Sequence, residues 1–190
     1  MKILTGAQIH ELDQYTIDHE PVASIELMER AARAITSALT TRFDPQTPVV
    51  VFAGPGNNGG DGLAVARMLS EKGYSVDTYL FNIHGELSDN CLKNRDRLKN
   101  DGLVKNFTEV TTNFDPPKLD KDTLVVDALF GSGLNKPLTG GFASLVKYIN
   151  QSSSRVVSID MPSGLMTEDN TNNSPSAIIR ADLTLTMQLK

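Results

Sequence analysis

Five glycines and two amide side chains fall within nine residues, Gly54-Pro55-Gly56-Asn57-Asn58-Gly59-Gly60-Asp61-Gly62. Glycines 54, 56 and 59 satisfy the pattern G-x-G-x-x-G between a hydrophobic run and a helical pattern, which is the context that a phosphate-binding turn requires. Glycines let a ligand approach the backbone, and the N–H groups around residues 59–62 should point outward at the start of a helix. The segment therefore predicts a phosphate cradle. The alternative is a tight turn that needs glycine only for its backbone freedom.

The same segment argues against two common nucleotide sites. A P-loop requires lysine after its last glycine, where this chain has Gly60 and Asp61. The usual NAD fingerprint requires an acidic residue about 20 residues further on, at the end of the second strand. That strand should end near Asn82, and Asp77 lies too early in it. The sequence therefore predicts a phosphate-bearing, nucleotide-like ligand that does not bind in the usual NAD pose.

Two acidic residues each close a hydrophobic run. Asp127 is followed by Gly131-Ser132-Gly133, which offers further backbone donors, and Asp160 is followed by Met161-Pro162-Ser163-Gly164. In an open α/β sheet, ligands bind beyond the carboxyl ends of the strands, so both carboxylates should face one crevice. The alternative for Asp127 is a cap of the turn that follows it.

Ser163 lacks the surroundings of a hydrolase nucleophile. A nucleophile elbow needs glycine two residues before and two after the serine, where Met161 and Leu165 stand, and none of the three histidines has a suggestive context. Amide, carboxylate and hydroxyl oxygens are the ligands of hard cations. Asn58, Asp127 and Ser163 together therefore indicate a cation site.

Two helices should precede the first strand. Thr5 and Gln8 form a capping-box pattern that opens a helix ending near His19. A second helix is predicted over residues 24–40, where apolar residues recur at helical spacing. The members of this stripe are Ile25, Met28, Ala32, Ile35 and Leu39.

Strands then alternate with helices. The run Pro48-Val49-Val50-Val51-Phe52-Ala53 is typical of a strand that is buried on both faces. Further strands are predicted over 75–81, 103–107, 123–127, 155–160 and 182–188, helices over 62–72, 88–100 and 142–151, and surface loops over 111–122 and 168–176. The alternation predicts an α/β fold with a mostly parallel sheet. The charged stretch Asn94-Arg95-Asp96-Arg97 is interpreted as a solvated helix face.

The charge balance argues against two classes of partner. The net charge is −5, from 23 acidic and 18 basic residues, whereas nucleic acids and anionic membranes bind clusters of Lys and Arg. Cys91 is the single cysteine, and the start of the chain does not resemble a signal peptide. No run approaches the ~20 apolar residues of a membrane helix. We expect one cytoplasmic domain without a nucleic-acid or membrane partner.

Four segments resemble the NAD(P)H-hydrate epimerase family, also called the YjeF N-terminal domain. They are residues 54–62, Val126-Asp127-Ala128-Leu129-Phe130-Gly131-Ser132-Gly133-Leu134, Ile159-Asp160-Met161-Pro162-Ser163-Gly164-Leu165 and Leu27-Met28-Glu29-Arg30-Ala31-Ala32. The resemblance spans nearly the whole chain with the segments in order. It implies a domain over residues 1–190 with a Rossmann-like three-layer α/β/α fold, a mostly parallel sheet and two N-terminal helices, often assembled as a homodimer.

The resemblance also implies an isomerase of metabolite repair. Family members interconvert the R and S epimers of hydrated NADH and NADPH (NADHX and NADPHX), so that a dehydratase specific for one epimer can restore the cofactor. A non-catalytic nucleotide-binding or scaffolding module of the same fold is the alternative. Because the family continues beyond the strand at 182–188, we expect the chain to belong to a longer protein. A bifunctional protein with a dehydratase domain after this one is one form that such a protein can take.

Carried onto matching positions, the resemblance implies a substrate site and a potassium site. A potassium ion would be held by Asn58, Asp127 and Ser163. The substrate contacts would be Asn57, Asn58, Gly59, Gly60, Asp61, Gly131, Ser132, Gly133, Leu134, Asn135, Lys136, Pro137 and Asp160.

Asp160 is predicted to be the catalytic acid–base residue. Asp127 suits this role less, because a neighbouring cation would hold it ionised and make it a poor proton donor. Asp61 is the rival, although the start of a helix would favour its charged form. The remaining alternative is that Asp160 only donates or accepts hydrogen bonds with the substrate.

Overall fold

A parallel sheet of six strands organises the chain, which the computed structural model describes over residues 6–19, 23–102 and 104–187. Its order is β3-β2-β1-β4-β5-β6, and each neighbouring pair is parallel. The chain winds outward from β1 to β3 and then returns to the other side of β1, so the winding direction reverses between β1 and β4. In open α/β sheets such a reversal opens a ligand crevice. The strands are β1 Val49–Ala53, β2 Val76–Phe81, β3 Asn106–Val110, β4 Leu124–Ala128, β5 Arg155–Ile159 and β6 Leu183–Leu185.

Helices cover both faces of the sheet. On one face, Val49 and Val51 of β1 belong to a core that includes Leu69 from the helix after β1. On the other face, Phe52 of the same strand packs in a core with Val146. The result is the three-layer α/β/α arrangement expected from the sequence. The helices are α1 Gly6–His19, α2 Ser24–Thr40, α3 Asn57–Glu71, α4 Asp89–Asp101 and α5 Gly140–Gln151, with a short 3-10 turn at Pro175–Ala177.

The helix α2 confirms the predicted amphipathic stripe. Met28, Ala32, Ile35 and Leu39 are buried against the sheet and α3, whereas Ile25 is only half-buried. The Thr5 half of the capping box that was predicted for α1 lies outside the described residues. Within the part of the chain that is described, no helix is long and apolar enough to cross a membrane.

The start of α3 differs from the prediction. The helix begins at Asn57 rather than at Gly62, so the glycine-rich segment forms its first turns. Gly60 explains the difference, since a Cβ there would lie 3.0 Å from Met28 Sδ of α2 and 3.2 Å from the Cys91 nitrogen of α4. A side chain at this turn would crowd both α2 and α4, so glycine fits the packing of α3 against these two helices. These tertiary contacts outweigh the poor helix propensity of glycine.

Two strand boundaries also differ from the prediction. The third strand lies at Asn106–Val110 instead of residues 103–107, because its alternately exposed side chains at the sheet edge do not form an apolar run. Its register is set by pairing with β2, from Asp77 opposite Asn106 to Phe81 opposite Val110. The last strand ends at Leu185, and the predicted end at Gln188 lies outside the described residues.

Backbone contacts of Gly54 join the loop after β1 to the end of β4 and the loop that follows it. The Gly54 N–H donates a hydrogen bond to the Ala128 carbonyl oxygen at 3.0 Å. A Cβ at Gly54 would lie 1.8 Å from the Leu129 carbonyl oxygen, and one at Gly59 would lie 1.7 Å from the Gly54 carbonyl oxygen. These positions exclude any side chain, whereas a Cβ at Gly56 would meet no atom within 4 Å.

Gly59→Ala and Gly56→Ala therefore form a matched pair within one loop. We expect Gly59→Ala to lower the free energy of unfolding by more than about 3 kcal/mol, because a Cβ at Gly59 would overlap the Gly54 carbonyl oxygen and force the backbone of this loop to shift. Gly56→Ala should change it by no more than about 1 kcal/mol, the usual cost at a helix N-cap. Urea denaturation followed by circular dichroism measures both values, and equal losses would contradict this packing.

Cys91 should be unreactive in the folded protein. The thiol has no solvent exposure, donates a hydrogen bond to the Gly54 carbonyl oxygen at 3.7 Å, and has a pKa that burial raises to about 12. At pH 8 only about one thiol in ten thousand would then be ionised. We expect iodoacetamide to label the native protein at least ~100-fold more slowly than the urea-denatured protein. Equal rates, measured by mass spectrometry, would show that the thiol is accessible.

Candidate functional site

Three loops meet at the reversal point of the sheet, at the carboxyl ends of β1, β4 and β5. Gly131, in the loop after β4, is their common contact. A Cβ at Gly131 would lie 2.5 Å from Asp160 Oδ2, in the loop after β5, and 3.2 Å from Asn58 Cγ, in the first turn of α3. The absence of a side chain at Gly131 thus lets Asn58 and Asp160 both pack closely against the loop after β4.

The first turn of α3 supplies backbone donors to this crevice. Gly56 is the N-cap, and the Gly60 N–H bonds to the Gly56 carbonyl oxygen at 3.1 Å. The N–H groups of Asn57, Asn58 and Gly59 precede this first helical bond, so they are the ones available to an anion. The cradle predicted around residues 59–62 therefore lies earlier, because the helix itself begins earlier.

The side chain of Asn58 has buried polar atoms that are suited to contact a ligand. Its amide nitrogen and its amide oxygen are both buried, and neither has a hydrogen-bond partner among the described residues. A buried polar group without a partner costs about 1–3 kcal/mol. Two such atoms on one side chain, beside Gly131 and Asp160, indicate that a bound group supplies their partners.

Asp127 lies near the carboxyl end of β4 and has no solvent exposure. Its Oδ1 accepts hydrogen bonds from Ser163 Oγ at 2.5 Å and from the Leu129 N–H at 3.3 Å, and its Oδ2 accepts from Ser158 Oγ at 2.7 Å and from the Ser163 N–H at 2.9 Å. Burial raises the pKa of the carboxyl above its ordinary value, although these four hydrogen bonds act in the opposite direction. The sequence-based expectation of an ionised Asp127 considered only a cation and left out this burial.

Ser163 connects Asp127 with the loop after β4. Its Oγ donates to Asp127 Oδ1 and accepts a hydrogen bond from the Phe130 N–H at 2.9 Å. Phe130 immediately precedes Gly131, so this bond holds the segment that contacts Asn58 and Asp160. Asp127 and Ser163 therefore contact each other directly. Asn58 is connected to them only by way of residues 130–131, since Phe130 bonds to Ser163 and Gly131 lies beside Asn58.

Asp160 has an unusual backbone conformation. Its φ is 65°, and no other non-glycine residue in the described ranges has a positive φ. Aspartate and asparagine tolerate this left-handed region better than most residues, and strain of this kind is concentrated at functional sites. The conformation directs the carboxylate across to the loop after β4, where Oδ2 accepts a hydrogen bond from the Ser132 N–H at 2.7 Å. The side chain is largely buried but retains 8% exposure.

The other residues expected in the substrate site are distributed around the crevice. Asp61 is buried in the second turn of α3, so it does not lie at the helix terminus as the sequence suggested. Leu134 donates its N–H to the Gly131 carbonyl oxygen at 3.1 Å, which folds the loop into a turn. Gly59, Gly60 and Gly131 are buried, Ser132 and Leu134 are half-buried, and Asn57, Gly133, Asn135, Lys136 and Pro137 are exposed.

Two residues that position the site were not predicted from the sequence. Ser158 was passed over as part of a hydrophobic strand, yet it lies opposite Asp127 in the register of β4 and β5. Asn94 was assigned to a solvated helix face, which is wrong: it is 1% exposed and its Nδ2 donates to the Gly60 carbonyl oxygen at 3.2 Å. A polar residue inside an apolar strand was the available signal for Ser158.

The oxygen atoms at this site suit a hard cation. Asn58 offers a buried, unpartnered amide oxygen, Ser163 offers a hydroxyl oxygen, and Asp127 offers carboxyl oxygens. Across residues 6–19, 23–102 and 104–187, no group of three or more His, Cys, Asp or Glu side chains could hold a metal ion. The chemistry of the site thus fits a weakly bound cation with oxygen ligands rather than a transition metal.

Comparison with known proteins places the chain in a family. Residues 24–190 match the model of the family described as YjeF-related protein N-terminus. An NAD(P)H-hydrate epimerase from Oenococcus oeni is 40% identical over 186 residues, covering 97% of this chain and 84% of the relative. An NAD(P)H-hydrate epimerase from Limosilactobacillus fermentum is 34% identical over 183 residues, covering 96% and 84% of the two chains.

Two further comparisons concern domain context and fold. The bifunctional NAD(P)H-hydrate repair enzyme Nnr of Thermofilum pendens is 34% identical over 190 residues, which cover all of this chain and 36% of that enzyme. The crystal structure of the yeast protein YNL200c superposes with a TM-score of 0.76 at 21% identity, covering 97% of this chain and 79% of the yeast chain. This likeness supports the α/β fold. With the matched motifs at the meeting point of the three loops, the chain belongs to the YjeF-related N-terminal family.

Proposed function

We propose that this protein is an isomerase that interconverts the R and S epimers of NADHX and NADPHX in nicotinamide-nucleotide repair. The observation that carries the proposal is the convergence of Asn58, Gly131 and Asp160 at the sheet reversal, which joins an anion-binding helix terminus to a carboxylate. The family match and the relatives named NAD(P)H-hydrate epimerase support the same reaction.

The backbone would bind the phosphates of the substrate. The N–H groups of Asn57, Asn58 and Gly59 meet an anion without any side-chain charge, as helix termini do for phosphates. Residues 131–137 form the facing wall, with Lys136 exposed at its outer part, where it can add a positive charge. The hydrated nicotinamide ring is then placed beside Asp160, which retains 8% exposure at the crevice.

Asp160 is the proposed acid–base group. Epimerisation at C6 requires the hydroxyl to leave one face of the ring and return to the other. The ring nitrogen supplies the electron pair that expels the hydroxyl, and Asp160 donates a proton so that water departs rather than hydroxide. Water then adds to the opposite face and returns a proton to the carboxylate, which restores the starting state.

A potassium ion is the proposed cofactor, held by Asn58, Asp127 and Ser163. When bound, it supplies positive charge beside the substrate and satisfies the amide oxygen of Asn58. The hydroxyl of Ser163 donates a hydrogen bond to the carboxylate of Asp127, so two of the three proposed ligands are adjacent.

The proposed context is a repair sequence with a dehydratase that consumes one epimer. The bifunctional repair enzyme among the relatives supports this link, because one chain there contains a region similar to this protein. We also propose that the protein acts as a homodimer, as the family resemblance implies, and that it works in the cytoplasm, in line with its single cysteine.

The reaction is tested by following exchange between the separated epimers of NADHX by chromatography. We expect the wild-type protein to accelerate exchange and Asp160→Asn to reduce kcat by at least ~10²-fold with a near-normal KM. Asparagine tolerates the left-handed backbone at this position and can still accept from the Ser132 N–H, so the variant removes the proton transfer and leaves the geometry.

Asp61→Asn serves as the comparison. If Asp61→Asn is inactive while Asp160→Asn retains activity within a few-fold of wild type, the acid–base role belongs to Asp61. A wild-type protein that binds the nucleotide without accelerating exchange would instead show a non-catalytic binding module.

Potassium binding is tested without reference to activity. We expect KCl to raise the Tm of the wild-type protein over choline chloride by about 3–6 °C at tenfold excess over Kd, since the ion binds only the folded state. Asn58→Leu removes the amide without breaking a protein hydrogen bond among the described residues, so it should abolish this shift with little effect on Tm in choline. A shift that persists in Asn58→Leu would place the ion elsewhere.

A further inference from the structure

A separate apolar pocket of about 260 Å³ adjoins the site and has no part in the chemistry described above. Pro55, in the loop after β1, and Phe130, in the loop after β4, form its inner wall. Pro55 lies two residues before Asn57, and Phe130 directly precedes Gly131. The pocket is thus continuous with the anion-binding turn on one side and with the loop beside Asp160 on the other.

Aromatic rings form the remaining walls. Phe142 of α5 packs against Phe130 edge to face, with ring centroids 4.8 Å apart, and against Phe81 at the end of β2 at 5.7 Å. Ile83, in the loop after β2, lines the pocket and is 39% exposed, which is unusual for a large aliphatic side chain in the described parts of this chain. Fixed aromatic faces with an exposed aliphatic edge are suited to a flat, weakly polar ring.

The size of the pocket limits what it can hold. Ligand pockets for whole drug-sized molecules are typically about 300–1,000 Å³, so 260 Å³ suits a single ring system and not a whole dinucleotide. His84 and Glu86 lie exposed at its border and offer hydrogen-bonding groups to the edge of a ring or to an attached sugar.

We propose that this pocket binds the adenine ring of the hydrated dinucleotide. This inference rests on the proposed function, which places the hydrated nicotinamide beside Asp160 and the phosphates at the first turn of α3. The adenine is then the one ring of the substrate that remains, and the pocket is reached from that turn through Pro55.

ADP-ribose is a suitable probe, because it contains the adenine and both phosphates but no nicotinamide. We expect Phe142→Ala to weaken ADP-ribose binding roughly 5- to 150-fold, the usual effect of removing an aromatic partner of a base. Ile83→Ala, which alters an exposed side chain and should fold normally, is expected to weaken it roughly 3- to 30-fold. Leu92→Ala on α4, equally 39% exposed and outside the pocket, is the matched control and should leave the Kd unchanged.

A second arm identifies which half of the substrate the pocket holds. We expect Ile83→Ala and Phe142→Ala to lower kcat/KM for NADHX but not for the hydrated form of reduced nicotinamide mononucleotide, which lacks the adenosine half. Equal losses for both substrates, or an unchanged Kd for ADP-ribose in Ile83→Ala and Phe142→Ala, overturn the proposal. Failure of the wild-type protein to exchange epimers would refute the proposed function alone, since ADP-ribose binding is measured independently of turnover.

Discussion

The geometry of the crevice depends on one carboxylate that is fully removed from solvent, that of Asp127. Burying such a group is unfavourable unless other donors replace its water. Those donors come from β5 through Ser158 and from the two loops that follow β4 and β5. The loss of any donor weakens the hydrogen bonding of a buried carboxyl group, which favours the arrangement of these segments in which all four donors are present. Asp160 lies between Ser158 and Ser163 in sequence, and its position follows from theirs.

Three kinds of surface adjoin one another around the crevice. Asp160 and Asn58 lie beside Gly131, the free N–H groups of α3 begin at Asn57, and the pocket bordered by Pro55 and Phe130 adjoins both. Glycine backbones make this possible, because they let the loops after β1 and β4 touch without side chains between them. The reacting ring, the phosphates and the adenine would each meet a different kind of surface: ionisable, backbone and aromatic.

Hydrophobic runs were sufficient to predict the α/β class and four of the strands closely, since parallel strands that are buried on both faces form nearly continuous apolar runs in the sequence. The start of α3 could not be predicted, because the residues that favour glycine at position 60, Met28 and Cys91, belong to distant segments of the chain. Asn94 was misjudged for the same reason. The hydrogen-bond partner of Asn94, the Gly60 carbonyl oxygen, is far away in sequence, and the charged residues that follow Asn94 favoured a solvent-exposed position for it. The motifs identified Asn58, Asp127 and Asp160, but not the roles of Ser158 or the left-handed backbone at Asp160.

That backbone conformation also constrains how the protein can diverge. At a φ of 65°, the substitutions of Asp160 that avoid added strain are glycine and asparagine. Aspartate and asparagine codons differ by one base, so a single nucleotide change yields a chain with the same fold and crevice but no ionisable group at this position. Selection against misfolding would not remove such a variant. With Asp160 as the proposed acid–base group, the architecture makes the conversion of the enzyme into a pure nucleotide-binding protein a short evolutionary step.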